Sequence, residues 1–148
     1  MNISPHFTLE ELLKSPTATR LGFDEQFSPP DSIKQNLTAL CENVLEPLRA
    51  KLGKPITITS GYRCERDNAA IGGAKNSQHV LGQAADIFVE GMSVEELFEF
   101  INNSGIPFQQ HIQEFSQWNH ISYNPIGEQK NEKLRAIKVD GQTKYIPA

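Results

Sequence analysis

Four histidines, His6, His79, His111 and His120, are the only imidazoles in the chain, and two of them sit in settings that suit metal chemistry. In Ser77-Gln78-His79-Val80-Leu81-Gly82-Gln83-Ala84-Ala85-Asp86, a histidine precedes an aspartate by seven residues. On one continuous helix that spacing would put the two side chains about 10 Å apart along the axis. Two groups that each need about 2 Å to a shared zinc cannot meet that way. The chain must instead fold back between them, and Gly82 supplies the backbone freedom for the reversal. The small residues Ala84 and Ala85 let the returning segment pack closely, which places Asp86 early on a strand beside His79. A third ligand must come from elsewhere. Trp118-Asn119-His120-Ile121-Ser122 offers it, with Trp118, His120 and Ser122 on one face of a strand. Two imidazoles and one carboxylate suit Zn2+ and leave a coordination position for water. Such an ion would activate water for attack on a carbonyl. His6, near the chain start, and His111, alternating with its neighbours in a strand, read as packed or surface residues.

The elements that would position these groups follow from patterning. Thr8 and Glu11 form a capping box, with Phe7 and Leu12 as its staple, ahead of a short helix from about Leu9 to Lys14. Pro16 to Pro30 reads as loop. A long helix is expected from Asp31 or Ser32, on the spacing of Ile33, Leu37, Leu40, Cys41, Val44, Leu45, Leu48 and Leu52. A kink is expected at Pro47 and a stop at Gly53. Ile56–Thr59 reads as a buried strand, Ser60–Arg63 as a turn, Asp67–Ala70 as a helical turn and Ala84–Val89 as a second strand. Ser93 and Glu96 cap a helix whose apolar face is Val94, Leu97, Phe98 and Ile101, ending at Gly105. Phe108–Phe115 and Trp118–Tyr123 form one hairpin. Leu134–Val139 and Thr143–Ile146 form another around Asp140-Gly141. Helices first and strands later predict an α+β fold with an antiparallel sheet flanked by helices.

Composition bounds the rest. A chain of 148 residues fits a single domain with a real core, here residues 1–148. With 38% apolar and 22% charged residues it has the balance of a folded globular protein. The apolar runs fall far short of the roughly 20 residues needed to span a bilayer, so no membrane insertion is expected. A net charge of −4 without a basic block argues against nucleic acid as a partner. Met1 to Pro5 lacks a secretory pattern, so synthesis in the cytoplasm without a signal peptide is expected. Cys41 and Cys64 read as free thiols, and no Cys-x-x-Cys pair offers a thiolate zinc site.

The longer motif, Ser60-Gly61-Tyr62-Arg63, then Ser77-x-His79-x-x-Gly82-x-Ala84-x-Asp86, then Trp118-x-His120, resembles the zinc D-Ala-D-Ala carboxypeptidase family. That family includes D-alanyl-D-alanine carboxypeptidases and phage L-alanyl-D-glutamate endopeptidases, and it shares its fold with the Hedgehog signalling domain. The start, Phe7-Thr8-Leu9-Glu10-Glu11-Leu12, is similar to small phage and prophage members. The resemblance implies zinc ligands at His79, Asp86 and His120. It implies a substrate carboxylate held by Arg63, for which a planar guanidinium is well shaped. It also implies that Ser77 orients a ligand from behind, and that Tyr62 and Trp118 wall the substrate cleft. Many members carry the catalytic carboxylate three residues before the last histidine, where this chain has Gln117. The nearest upstream acid, Glu114, is therefore assigned as the general base and later proton donor.

That assignment requires a particular hairpin register. A two-residue loop at Ser116-Gln117 would pair Glu114 with Asn119 and turn it away from His120. A three-residue loop, Phe115-Ser116-Gln117, pairs Glu114 with Trp118 and puts Glu114, Trp118 and His120 on one face. No Asn-Gly or Asp-Gly pair favours the two-residue turn, so the odd register is the expectation. The function implied is hydrolysis of a peptide bond in bacterial peptidoglycan stem peptides, as a D,D-carboxypeptidase or an endolysin-type endopeptidase, by a monomer that reaches the wall after lysis or holin release or works on cytoplasmic precursors. Two rivals share the site: a metal-containing binding module without catalysis, for which Gln117 speaks, and a metal-dependent amidase or esterase.

Overall fold

Residues 1–148 are described by a computed structural model. The chain opens with a two-stranded ribbon, β1 (Asn2–Ser4) and β2 (Phe7–Thr8), that leads into α1 (Leu9–Leu13). Thr8 caps α1 as expected. Its Oγ1 accepts from the Glu11 amide at 3.2 Å, and the Glu11 carboxylate accepts from the Thr8 amide at 2.7 Å. Phe7, Leu12 and Leu13 are buried in the core. His6 lies elsewhere on the surface, paired with Glu46 at 2.7 Å.

The segment expected to be loop contains α2 (Pro16–Leu21) and a 3-10 turn (Asp24–Phe27). Six residues are too few for hydrophobic periodicity to register. The signal present is one of punctuation: Ser15 caps, Pro16 occupies the first helical position, and Gly22 ends the helix at φ 74°. The 3-10 turn contributes Gln26, fully buried, whose side-chain amide donates to the Leu13 and Tyr62 carbonyls and accepts from the Cys64 amide. That one side chain ties α1 to the segment after β3 (Thr57–Ser60).

The long helix runs as α3 (Asp31–Leu40), a π-helical turn (Cys41–Leu45) and α4 (Glu46–Leu52), closed by Gly53 at φ 66°. Pro47 lacks the N–H that would bond back to Asn43, and the helix widens into the π turn immediately before it. The expected disturbance is therefore a π turn. Both cysteines are free and buried, Cys41 in this turn and Cys64 at the start of α5 (Glu65–Ala70). No helix is long and apolar enough to cross a membrane.

The remaining elements are β4 (Ala84–Phe88), α6 (Val94–Asn102), β5 (Gln110–Glu114), β6 (Trp118–Ser122), β7 (Glu132–Val139) and β8 (Gln142–Pro147). With β3 the strands form a six-stranded sheet in the order β3-β4-β6-β5-β7-β8. The α+β class is as expected, but the sheet is not wholly antiparallel, because β5 and β7 pair in parallel. The reason is edge availability. β6 is already flanked by β4 and β5, so the chain leaving β6 crosses to the free edge of β5, where it runs in the same direction. Side chains alternate across the strands. Ala85, Ile87 and Ile121 enter the core with Leu37, Leu40, Leu97 and Ile101. Asp86, His120 and Glu114 occupy the opposite face.

His111 is on the core side, as a structural role requires. It is fully buried against Phe98 and Phe108, at ring-centroid distances of 4.7 and 5.7 Å. Its Nδ1 lies 2.7 Å from the Asn102 side chain and its Nε2 2.8 Å from that of Asn119. A neutral imidazole has one N–H and one lone pair. The Asn119 amide already donates to the Val94 carbonyl at 3.1 Å. Nε2–H therefore donates to Asn119, and Asn102 must turn its own NH2 toward Nδ1. Burial pushes the imidazole down to about 4 from an ordinary 6.5. The unfolded chain thus takes up a proton before the folded one does. The His111 contribution is present in full above pH about 6.5 and is lost progressively down to pH about 4, a difference of about 3 kcal/mol. Urea midpoints across that range should fall more steeply for the wild type than for His111→Gln. Parallel curves would mean that this histidine does not titrate as its burial requires.

Candidate metal centre

His79 sits in the irregular stretch between α5 and β4, held by main-chain bonds on both sides. Its amide donates to Ser77 Oγ at 3.2 Å, and its carbonyl accepts from the Arg63 and Gly82 amides at 3.1 and 3.2 Å. Gly82 makes the reversal foreseen for it. Its φ is 70°, and a Cβ there would come within 3.0 Å of the Ile33 side chain and 3.1 Å of the Ile33 carbonyl oxygen. The chain returns as β4, and the register of β4 on β6 sets Asp86 directly opposite His120. Directly paired residues share a face, and the two histidine rings approach edge-on with centroids 5.0 Å apart.

The three side chains converge in a way that suits a bound cation. His79 Nδ1 is 2.7 Å from the Gly61 carbonyl, which can only accept, so Nδ1 carries the proton. Nε2 of the neutral ring then directs a lone pair at Asp86 Oδ1, 3.2 Å away. The same carboxylate oxygen is 3.1 Å from His120 Nδ1. Three potential ligand atoms lie within 4.8 Å of one another, on residues that are 2%, 8% and 6% exposed for His79, Asp86 and His120. Acceptors facing one another in a buried space need positive charge between them. Burial raises the Asp86 carboxyl, whereas positive charge at the two flanking histidines pulls it well below the usual carboxylate range, and a cation seated between neutral rings would act in the same sense. Two imidazoles and one carboxylate, with no fourth protein ligand, form a donor set suited to a zinc ion that keeps one position open.

Glu114 lies on the same face. The hairpin takes the odd register: Glu114 pairs with Trp118 and Ile112 with His120. Phe115 and Ser116 both adopt left-handed backbone, at φ 55° and 57°, and the Gln117 amide donates to the Glu114 carbonyl at 2.9 Å. Two adjacent non-glycine residues in that region are sterically unfavourable and persist only where surrounding contacts hold them. Here the Phe115 amide donates to the Ala136 carbonyl at 2.9 Å, and its ring lies edge-on to Trp118 at 6.2 Å and under Lys138 Nζ at 5.2 Å. The turn brings Glu114 Oε1 to 3.6 Å from His120 Nδ1.

Arg63, just after the β3 exit, has no ion-pair partner. Its one side-chain hydrogen bond runs from Nη2 to Ser77 Oγ at 3.4 Å, and its Nε is buried without a partner. Burial lowers its pKa, while the negative charges of Asp86, Asp67 and Glu114 act in the opposite sense. A guanidinium so placed has donors to spare for an incoming carboxylate. Ser77 thus braces both Arg63 and the His79 turn. Trp118 is half-buried on the metal face, two residues from His120, with its indole N–H buried and unpartnered. Tyr62 is placed differently. It is 7% exposed and packed into the hydrophobic core, so it backs the Arg63 segment and offers little surface to a substrate.

Several neighbours of the site carry no signal in the sequence. The Gly61 carbonyl is main chain and invisible to residue type. Gln78 Oε1 lies 2.9 Å from His120 Nε2, a contact that exists only once the turn has formed. Tyr145 shares the metal face through the row Glu114, Ala136 and Tyr145 across β5, β7 and β8. Burial raises its phenol, helped by the charge of Glu114.

Comparison with known proteins gives the family. A family model described as Peptidase M15 matches residues 5–122, a span that contains Arg63, His79, Asp86, Glu114 and His120 and leaves out β7 and β8. A zinc D-Ala-D-Ala carboxypeptidase of Streptomyces albus G is 37% identical to this chain over 62 residues, which are 41% of this chain and 24% of the relative. The aligned part thus covers about a quarter of that relative's length.

Proposed function

The chain belongs to the peptidase M15 family, and from that premise we propose that it is a zinc-dependent peptidase that hydrolyses a peptide bond in bacterial peptidoglycan stem peptides. The observation that carries this reading is the convergence of His79, Asp86 and His120 on one buried point, with Glu114 3.6 Å from the nearest of them. His79 through Nε2, Asp86 through Oδ1 and His120 through Nδ1 would hold the ion. Bound there, zinc would supply a Lewis acid that polarises the scissile carbonyl and makes water a stronger nucleophile near neutral pH.

The chain's own groups do the rest. Glu114 takes a proton from the attacking water on its carboxylate and gives it to the leaving amine. Arg63 binds a free carboxylate of the peptide and so sets which bond lies over the metal. Trp118 lines the face on which the peptide rests. Stem peptides suit such a site because they carry free carboxylates close to D-residues. The relative's name specifies the bond between two D-alanines; for this chain both that carboxypeptidase action and an endopeptidase cut further along the stem are in scope. The proximity of Glu114 favours catalysis over a module that only binds.

Purified muropeptides, incubated with the zinc-loaded protein and read by mass spectrometry, test this directly. Loss of a terminal D-alanine identifies a carboxypeptidase, and a cut inside the stem an endopeptidase. Intact muropeptides after long incubation with stoichiometric zinc would overturn the enzymatic reading. In the same assay Arg63→Lys keeps the charge but loses the two-pronged donor geometry. It should lower kcat/KM by about tenfold or more on substrates with a free carboxylate near the cut, in line with about 1.4 kcal/mol or more of lost charge-assisted bonding. On the corresponding amidated substrate, wild type and variant should differ little. Equal losses on both would assign Arg63 a structural role.

A further inference from the structure

Gln78 precedes His79 in the chain but reaches the other imidazole, with its Oε1 2.9 Å from His120 Nε2. The second ring nitrogen, Nδ1, is 3.1 Å from Asp86 Oδ1 and 3.6 Å from Glu114 Oε1. In a neutral imidazole the partner of one nitrogen decides what the other can offer. We propose that Gln78 is a positioning residue that fixes His120 as the Nε2–H tautomer and so presents the Nδ1 lone pair to the metal. The proposal rests on the reading of this site as a zinc centre.

The two histidines are then oriented by different means. His79 has its Nδ1–H bonded to the Gly61 main-chain carbonyl at 2.7 Å and offers Nε2. A main-chain carbonyl can only accept, so His79 has one neutral form available. His120 has its Nε2–H bonded to a side-chain amide and offers Nδ1. That amide presents an acceptor on one side and two donors on the other. With its NH2 turned toward Nε2, the ring proton would move to Nδ1 and bond to Asp86, directly opposing metal entry. The Gln78 main chain is held in place: its carbonyl accepts from the Leu81 and Gln83 amides at 3.2 and 3.0 Å. The backbone thus aims the side chain, while the orientation of its amide selects the metal-binding nitrogen.

The test compares wild type with Gln78→Met, which keeps length but removes the acceptor, and Gln78→Glu, which keeps an acceptor at the same place. Zinc dissociation constants come from competition with a chromogenic chelator. Loss of a partner behind a metal ligand typically weakens binding by about 10–100-fold; that loss is expected for Gln78→Met, with Gln78→Glu within about threefold of wild type. Nitrogen-15 spectra of the zinc-loaded wild type should show the His120 ring proton on Nε2, a readout that no variant needs to fold for. A Gln78→Met protein that binds zinc within about twofold of wild type overturns the proposal. So does a ring proton on Nδ1. If His120→Ala also keeps its zinc, the metal reading itself has failed. If His120 is required and Gln78→Met binds normally, only the role of Gln78 falls.

Discussion

His120→Ala and His79→Ala are each expected to lose zinc and to fall to background in peptide hydrolysis, whereas the wild type should carry about one zinc per chain. His111→Ala should keep its metal. The three substitutions delete the same side chain, and only position separates them. His79 and His120 each direct a nitrogen at Asp86 Oδ1, at 3.2 and 3.1 Å, and removing either leaves two ligands where at least three are needed. His111 lies on the opposite face of the sheet, bonded to Asn102 and Asn119. Its loss leaves the buried Asn119 side-chain oxygen without its partner and costs stability on the order of 1–3 kcal/mol, without touching the site. Elemental analysis of dialysed protein, paired with a thermal melt, separates these effects. Retention of stoichiometric zinc by His120→Ala would show that the ligand set is wrong, and loss of zinc from a folded His111→Ala would show where to look instead.

Glu114→Gln should keep its zinc and lose turnover by roughly two or more orders of magnitude, the range for a missing acid–base group. The amide keeps the shape and a hydrogen-bonding oxygen but cannot accept and return a proton at neutral pH. Because Glu114 is not among the three ligands, metal content should be unchanged, and because the change is isosteric, KM should move far less than kcat. Stopped assays on muropeptides with matched zinc loading give both constants. Full activity in Glu114→Gln would remove this residue from the mechanism and leave proton transfer to another group on the same face, of which Tyr145 is the nearest by strand register.

Much of the site is legible in the sequence, for reasons that are local and geometric. The seven-residue gap between His79 and Asp86 excludes a helix and demands a reversal, and Gly82 is the residue able to make it. The lack of an Asn-Gly or Asp-Gly pair at the Phe115–Gln117 turn disfavours a two-residue loop, and the longer loop carries Glu114 to the metal face. What escapes depends on contacts between distant segments. The parallel pairing of β7 with β5 follows from which sheet edge remains free, a property of the assembled sheet and not of any strand's own residues. The helix at Pro16–Leu21 is too short to show a hydrophobic period. Tyr62 is flanked by the residues of a cleft motif yet points into the core, because the Leu12 carbonyl holds its amide at 2.8 Å. Nothing distinguishes Gln78 from its neighbours until the reversal brings it against His120.

The Gly61 peptide has a place in two structures at once. Its carbonyl holds His79, while on its other side the backbone lies so close to α1 that a Cβ at Gly61 would come within 2.4 Å of the Leu12 carbonyl oxygen. The Leu12 carbonyl in turn accepts from Tyr62, and Gln26 clamps the Leu13 and Tyr62 carbonyls together. A metal ion held by His79 would therefore be linked to the docking of the first thirteen residues. Whatever free energy a seated α1 adds to metal affinity, a bound ion returns in equal measure to the seating of α1. The N-terminal segment thus backs the peptide that orients His79, and the side chain that Gly61 lacks is what allows the two to share it.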